Sequence, residues 1–432
     1  MQATVKTPFL YVLARPFLIL LFLYFATIST DLLYLKTSIF KIKLNNAIAA
    51  LLALYFLFNF RNLRIETEQF LASMLIFGSF VISALNSCNQ IACSGFIFFY
   101  LFNFFVYFLI PINLYNVIDS KFLLKLYFSG FLAAGIYAGC QVFFSLFGFV
   151  LPGVEQWIYS VARGQALAYE PSFYALYMTP FAIFQTTKFI LQKKEERNLK
   201  DLLIATFCLL ISTSTGCFFS YVALIFVLCL FSYLGIIDFS IKKLLFKSFL
   251  VFAIVFCLLW IINKDLIEKG FLKLFYSGIT NHFTFQCRWR GIVNYWNIFM
   301  EHPFIGVGLG GGTTYFLIHS TNQYIDILDP DILNTSVAVP MNVTTEVFAS
   351  LGLLGACSFL NFFHKVKKAF ARAYKLEFLT EDEKIHLISF AASLCVVMVT
   401  LQFSQSIMRA YLWLHFGISV GYANYLWQKY RT

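Results

Sequence analysis

Long apolar runs without any charged residue constrain this chain more than any other feature. Residues 17–26, 47–60 and 249–262 contain no Asp, Glu, Lys or Arg. A helix that crosses a membrane needs about 20 predominantly apolar residues. Only 12% of the 432 residues are charged, whereas a soluble domain carries about 25%. We therefore expect an integral membrane protein and exclude a soluble domain.

Hydropathy predicts an all-α polytopic fold with about 12 membrane spans. The predicted spans are 9–29, 44–60, 69–86, 95–118, 123–150, 172–191, 201–213, 217–235, 244–262, 343–363, 385–402 and 409–427. The seventh is short for a span, so eleven and thirteen spans stay open as alternatives.

Two polar connections organise the chain. The first is 151–171 and the second, much longer, is 263–342. The sequence thus predicts nine spans within 1–262, a large loop over 263–342, and three spans within 343–432.

Lys and Arg residues indicate the orientation of the spans. With the N-terminus in the cytoplasm, the segments on that side hold 21 of these residues and the opposite segments hold 10, while Arg15 lies inside the first span. Positive residues favour the cytoplasmic side, so both termini are expected there and both polar connections face outward. This pattern also explains the net charge of +11, and we expect no nucleic-acid partner.

The first segment with candidate functional residues is 163–172, which leads into a predicted span. Pro171 suits the first helical position, where its missing N–H costs nothing, and Glu170 then lies at the positive end of the helix dipole. One interpretation is that Glu170 only caps this helix and Arg163 only anchors to lipid headgroups. The alternative is that Arg163 binds an anionic group and Glu170 acts as an acid, a base or a partner of the arginine.

The second segment is 288–312, within the long loop. Residues 288–300 have amphipathic helical character, and His302 with the following proline ends the helix. Gly306 and Gly308 allow a tight backbone whose N–H groups can point toward phosphate oxygens. The Gly-x-Gly-x-x-Gly pattern here is no dinucleotide fingerprint, because no strand–helix–strand unit surrounds it.

Arg288 and Arg290 have two possible roles in this segment. They either anchor the chain at the interface beside Trp289 or bind an anion, and two arginines beside a glycine-rich loop favour the anion. Weaker candidates in the same loop are His319 and the acidic cluster at 326–331, which is more typical of a solvated loop than of a cation site.

The third segment, 340–355, re-enters the membrane. Asn342 and Thr344 can cap its helix, and Glu346 lies in the first turn, where the helix dipole favours an acid. The small residues here, including Gly352 and Gly355, allow close helix packing.

Together these segments resemble the bacterial O-antigen polymerase and ligase family. Its pattern has an Arg-Gly and Glu-Pro segment before a central span. A long periplasmic loop follows, with an Arg about fourteen residues before His-Pro-x-x-Gly-x-Gly, and then a helix with Gly-x-x-Gly. The resemblance covers roughly 160–360, and the matching residues are Arg163, Gly164, Glu170, Pro171, Arg288, His302, Pro303, Gly306, Gly308, Gly352 and Gly355.

Three departures from the pattern bear on the branch of the family. Met341-Asn342 stands where the ligase branch has His-Asn, and Ser350 stands where that branch often has Glu. Asn342 followed by Glu346 is more typical of the polymerase branch. Segment 212–216 stands where many relatives carry Ser-Arg, so no arginine is carried over there.

The resemblance implies a periplasmic, metal-independent glycosyl transfer at the bacterial inner membrane, without a cofactor. The donor would be a glycan on undecaprenyl pyrophosphate and the acceptor a lipid-linked repeat unit; a chain-length-regulating membrane protein is a further implied partner. Arginines can stabilise the leaving pyrophosphate, because a guanidinium is always charged and binds phosphate in a bidentate way. Predicted catalytic residues are Glu170, Arg288 and Glu346. Predicted substrate-binding residues are Arg163, Arg290, His302, Gly306, Gly308, His319 and Asn342.

Other functions stay open at this stage. A ligase would move finished glycan onto lipid A-core. A transporter or flippase would typically show internal repeats and charged residues inside spans, and neither is evident. Cys88 and Cys93 share one polar loop and could form a disulfide on an oxidising side, although coincidence explains their spacing as well.

Overall fold

The computed structural model describes residues 9–36, 41–59, 66–154, 157–158, 161–237, 283–320, 342–403 and 407–431. The predicted span 244–262 and the acidic cluster at 326–331 lie outside the described residues.

Helices dominate the described chain. In chain order they are α1 Phe9–Ala26, α2 Leu44–Asn59, α3 Thr67–Leu85, α4 Gln90–Phe102, α5 Ile110–Leu114, α6 Ser120–Ser145, α7 Pro171–Leu191, α8 Leu199–Leu210, α9 Thr215–Tyr233, α10 Phe283–Glu301, α11 Gly311–Ser320, α12 Val343–Tyr374, α13 Glu381–Thr400 and α14 Ala410–Arg431. A π-helical segment, Asn103–Leu109, joins α4 to α5, and 3₁₀ turns cover Lys194–Glu196 and Leu401–Phe403.

Two small antiparallel hairpins interrupt the helical fold. β1 Tyr34–Lys36 pairs with β2 Lys41–Lys43, and β3 Trp157–Ile158 pairs with β4 Val161–Ala162. Hydropathy did not predict them, because strands of two or three residues leave no periodicity to detect.

The membrane character of the helices confirms the predicted class. Within the described ranges, five helices are long and apolar enough to cross a membrane: Thr67–Leu85, Gln90–Leu114, Ser120–Ser145, Val343–Tyr374 and Glu381–Phe403. Other helices fall on predicted spans but are shorter or less apolar. Helix α8, with 12 residues, is about 18 Å long, well short of the ~30 Å hydrocarbon layer. The count of 12 spans therefore stays a prediction.

Contacts between the connecting segments gather at two ends of the bundle. At the end we call the loop end, Asp31 N and Leu32 N donate to Leu167 O, and Gly164 N donates to Ile211 O. Further contacts there join Asn86 to Gly306 and Asn342 to Gln402.

Ion pairs between acidic and basic side chains define the opposite end. Glu68 pairs with Lys368 at 2.8 Å, and Glu66 pairs with Arg372 at 3.1 Å. Lys429 pairs with Glu383 at 2.7 Å. Among the described residues, these contacts join segments that the predicted topology places on the same side of the membrane.

Candidate functional site

A glycine at the loop end brings the segment before α7 close to the turn after α8. The Gly164 N–H donates to Ile211 O at 3.1 Å. A Cβ atom on Gly164 would lie 1.9 Å from Ile211 Cγ2, so a side chain would force the two segments apart. The buried side chain of Gln141, on α6, holds the same segment by donating to Ala166 O at 2.7 Å. These contacts fix the position of the neighbouring Arg163.

The Arg163 side chain is half-buried against the turn between α8 and α9. Its Nε donates to Ser212 O at 3.2 Å and to Thr213 Oγ1 at 3.0 Å. Segment 212–216 lacks the arginine that the family pattern often has there, and its first two residues bind Arg163. Burial lowers the pKa of Arg163, and the charge of Glu170 opposes that shift.

Glu170 acts electrostatically on two arginines that lie far apart in the sequence, Arg163 and Arg288. It occupies the N-cap position of α7, but its carboxylate accepts no capping hydrogen bond from the helix. Arg288 on α10 is half-buried as well, and burial lowers its pKa while Glu170 again opposes the shift. One carboxylate thus acts electrostatically on two desolvated guanidinium groups, and we call these three residues the arginine pair with Glu170.

The two guanidinium groups and the one carboxylate of this group carry a formal charge of +1. A desolvated positive site of this kind attracts anions, because opposite charge within a few ångströms compensates the cost of burying the guanidinium groups. Arginine favours phosphate groups among the biological anions, because its planar fork matches two phosphate oxygens.

Arg290 is not part of this group. Its side chain is exposed, as is that of Trp289, whereas Arg288 faces the protein. The two arginines therefore differ in environment although only one residue separates them.

Glu346 is buried in the first turn of α12, with 5% of its surface exposed. Its charge acts on Tyr295 of α10 and adds to the effect of burial, which raises the pKa of that tyrosine. Tyr295 lies seven residues after Arg288, about 10 Å further along the same helix face. The charge of Glu170 thus acts on both arginines, and the charge of Glu346 acts on a tyrosine of the helix that carries Arg288.

The glycine-rich loop after α10 binds the backbone of α12. Gly352 has φ 62°, which breaks the helical conformation. The loop supplies replacement partners: Gly308 N donates to Ser350 O at 2.8 Å, and Leu353 N donates to Pro303 O at 2.8 Å. Val307 N donates to Ala349 O at 3.1 Å. The two segments are joined main chain to main chain.

Close approach explains why glycine stands at both sides of this contact. A Cβ on Gly306 would lie 2.4 Å from the carbonyl carbon of Ser350, and one on Gly352 would lie 2.4 Å from that of Phe304. The Gly306 N–H donates to His302 O at 3.1 Å. The expected phosphate-binding role of Gly306 and Gly308 is therefore not supported by the geometry, because the loop N–H groups donate to protein carbonyls.

His302 belongs to a polar cluster beside this loop. Its Nε2 lies 3.1 Å from the Tyr315 hydroxyl, which donates to Glu301 Oε2 at 2.7 Å. Because the tyrosine has one hydroxyl hydrogen, Nε2 of His302 carries the proton. Burial, followed by the bond to Glu301, raises the pKa of Tyr315 to about 12. His302 thus contacts protein groups, and the side chain of His319 lies outside the described residues.

Asn342 caps α12, as the sequence predicted. Its Oδ1 accepts from Thr345 N at 3.0 Å, and its Nδ2 donates to Gln402 O at 2.9 Å. Thr344 donates to the Gln402 side chain at 2.6 Å instead of capping. The oxygen of the Asn342 amide therefore caps α12, and its nitrogen binds the turn after α13.

Several charged residues at the loop end were not predicted from the sequence as site residues. Arg409 lies over the Phe173 ring, with its guanidinium carbon 3.7 Å from the ring centroid. Its Nη1 is 3.9 Å from Asp31 Oδ2, and Asp31 also pairs with Lys43. The predicted topology places all three residues on the same side as Arg163, but no sequence motif connects them.

Cys88 and Cys93 are free thiols.

Comparison with known proteins gives no relative from which to assign a function. No model of a known protein family matches the chain, and no curated protein matches it either. In the part of the chain that the structure describes, no group of three His, Cys, Asp or Glu side chains is placed to hold a metal ion.

Proposed function

We propose that the protein is an O-antigen polymerase, or a polymerase of a related surface polysaccharide, acting on the outer side of the bacterial inner membrane. The observation that carries the proposal is the convergence of Arg163, Glu170 and Arg288 at the loop end. These residues come from two of the segments that resemble the family. The resemblance therefore involves side chains that act on each other.

The proposed reaction transfers a growing glycan from undecaprenyl pyrophosphate to a lipid-linked repeat unit. An acceptor hydroxyl oxygen bonds to the anomeric carbon of the donor while the bond from that carbon to the pyrophosphate oxygen breaks. The pyrophosphate leaves with the electron pair, and the hydroxyl proton passes to a base.

Arg163 and Arg288 stabilise the charge that develops on the leaving pyrophosphate. Both guanidinium groups are partly desolvated, and that of Arg163 is held by Ser212 O and Thr213 Oγ1. Desolvation makes their effect on a developing charge larger than in water. Glu170 is the carboxylate beside them and receives the hydroxyl proton. Glu346, buried beside Tyr295, supports the start of α12 as a positioning residue.

Elongation by the purified protein tests this proposal. The full chain in lipid nanodiscs is given undecaprenyl-pyrophosphate-linked repeat units and EDTA, and lipid-linked products are separated by length. We expect elongation that survives EDTA and falls about 10²–10³-fold in Arg288→Ala, the typical effect of losing one preorganised stabiliser. Arg290→Ala is the matched control, and this exposed arginine should change the rate by about twofold at most.

The alternative functions give different results in related assays. Transfer to added lipid A-core without elongation would identify a ligase. Movement of lipid-linked glycan across the bilayer without any new glycosidic bond would identify a transporter. Either result, or equal elongation by the Arg288 variant and the wild type, would overturn the proposed polymerase.

A further inference from the structure

A cavity opens at the loop end, between the end of α1, the start of α2, α4 and the start of α14. Its volume is about 400 Å³, within the range of roughly 300–1,000 Å³ typical of small-molecule sites. Its polar lining includes Asp31, Lys43, Asn45, Asn103, Arg409 and Tyr411.

Three polar atoms of these lining residues have no hydrogen-bond partner among the described residues. They are Oδ1 of Asn45, Nε of Arg409 and the hydroxyl of Tyr411, and all three atoms are buried. Asn45 is 4% exposed and Tyr411 is 6% exposed. Buried polar groups are nearly always hydrogen-bonded, and these three atoms lie just beneath the cavity wall. Small rotations of the three side chains would let a polar ligand in the cavity satisfy them.

The lining favours a ligand with both donors and acceptors. Asn45 Oδ1 needs a donor, Arg409 Nε needs an acceptor, and a tyrosine hydroxyl serves as either. Phe96 and Phe99 also line the cavity and add aromatic surface. Hydroxyl groups on a carbon ring meet this combination.

The charges of the lining argue against a free phosphate. Asp31 lies between Lys43 and Arg409, so its carboxylate uses part of their positive charge and repels a multiply charged anion. The remaining single positive charge is compatible with a neutral sugar or with one that carries a single carboxylate.

The cavity is adjacent to the segment that holds the arginine pair with Glu170. Arg409 lies over Phe173, in the first turn of α7, three residues after Glu170. The backbone of Asp31 donates to Leu167 O at 2.8 Å. We propose that this cavity binds one sugar residue, neutral or singly acidic, of the glycan on which the arginine pair acts. Sugar binding stands on the cavity itself, and only its role in catalysis rests on the proposed function.

Saturation-transfer NMR on the full chain in nanodiscs tests this inference. The probes are free D-glucose, D-galactose, N-acetyl-D-glucosamine and D-galacturonic acid, each measured separately. We expect saturation transfer to at least one sugar and an apparent affinity about three- to tenfold weaker in Tyr411→Phe, the effect of losing one neutral hydrogen bond.

A matched control separates binding from a general effect on the fold. Tyr115 is 5% exposed, and its hydroxyl also lacks a partner among the described residues, but it lines a different cavity. Tyr115→Phe should leave sugar binding unchanged.

The outcomes separate this inference from the proposed function. Sugar binding that persists in Arg288→Ala and weakens in Tyr411→Phe supports the site even if no polymer forms. The inference is overturned if none of the four sugars binds, or if Tyr411→Phe and Tyr115→Phe bind equally. It is also overturned if inorganic pyrophosphate binds in place of the sugars and loses affinity in Tyr411→Phe.

Discussion

Arg163 and Arg288 show how two identical side chains reach one site by different routes. Arg163 is held by a carbonyl and a hydroxyl from the turn after α8, whereas Arg288 is carried by the face of an amphipathic helix. The desolvation of both guanidinium groups, with a single carboxylate nearby, is the physical basis for anion binding at this site.

The contacts of Arg163 predict that its shape matters as well as its charge. Arg163→Lys keeps the positive charge but loses the planar fork and the Nε donor to Ser212 O and Thr213 Oγ1. We expect the elongation rate to fall about tenfold or more, because lysine cannot replace a bidentate arginine.

Arg290→Lys is the control for this substitution, since its side chain is exposed. Rates are measured with membranes that contain equal amounts of each variant. Equal rates for Arg163→Lys and Arg290→Lys would show that the guanidinium geometry of Arg163 is not used.

At the residue scale the sequence predicted Arg163, Glu170 and Arg288 separately as candidate site residues, from the segments that resemble the family. It did not predict that Glu170 acts on both arginines. It did not predict that Glu346 lies beside Tyr295 or that Arg409 lies over Phe173. Those pairings depend on how α10, α12 and α14 pack, and helix periodicity gives the face of a residue but not its partner.

The element that most distinguishes this fold is the break in α12 at Gly352. The loop after α10 restores the hydrogen bonds that the break interrupts, and glycine is needed on both sides of the contact. The loop therefore stabilises α12 and fixes the C-terminal end of α10. Helix α10 carries Arg288 near its start.

A methyl group at this contact should destabilise the protein strongly. Gly306→Ala puts a Cβ 2.4 Å from the main chain of α12 at a residue with φ 66°. Backbone strain and overpacking together are expected to cost about 2–5 kcal/mol. Thermal unfolding in detergent, followed by tryptophan fluorescence, measures the effect.

Gly95→Ala is the matched control for this prediction. Gly95 lies inside α4, and a Cβ there meets nothing within 4 Å, so alanine should stabilise the helix by about 0.5–1 kcal/mol. A Gly306→Ala protein that unfolds at the wild-type temperature would contradict the role of the loop.

At the element scale the sequence predicted helix positions well but not the docking of the glycine loop. Helix starts such as Asn342 and Pro171 carry local signals. Main-chain atoms form the contact between the loop and α12, and every residue type has them. The glycines in the sequence therefore indicate only that another segment can approach the loop closely, not which segment does.

The whole molecule has two ends with different connections, and the proposed function requires the loop end to face outward. Single cysteines at Arg290 and at Lys375, in a cysteine-free background, test this arrangement in spheroplasts with a membrane-impermeant maleimide. We expect labelling of Arg290→Cys in intact spheroplasts and labelling of Lys375→Cys only after lysis. The reverse pattern would place the arginine pair in the cytoplasm, where the proposed reaction does not occur.

At this scale hydropathy predicted the helical membrane class, and the number and orientation of the spans stay predictions. It could not predict the hairpins at β1–β2 and β3–β4 or the π-helical segment Asn103–Leu109, because these depend on local hydrogen bonds and not on apolar content. The Asn103 side chain, which donates to Met408 O at 2.9 Å, is one such contact between distant segments.

The glycan profile of a deletion strain that carries Arg288→Ala tests the central claim most directly. Lipopolysaccharide is separated on gels, and lipid-linked intermediates are extracted in parallel from cells with equal membrane levels of each variant. We predict that the deletion leaves a single repeat unit on lipid A-core without a ladder. Wild type and Arg290→Ala should restore the ladder, and Arg288→Ala should not. A full ladder in the Arg288→Ala strain would contradict the assignment.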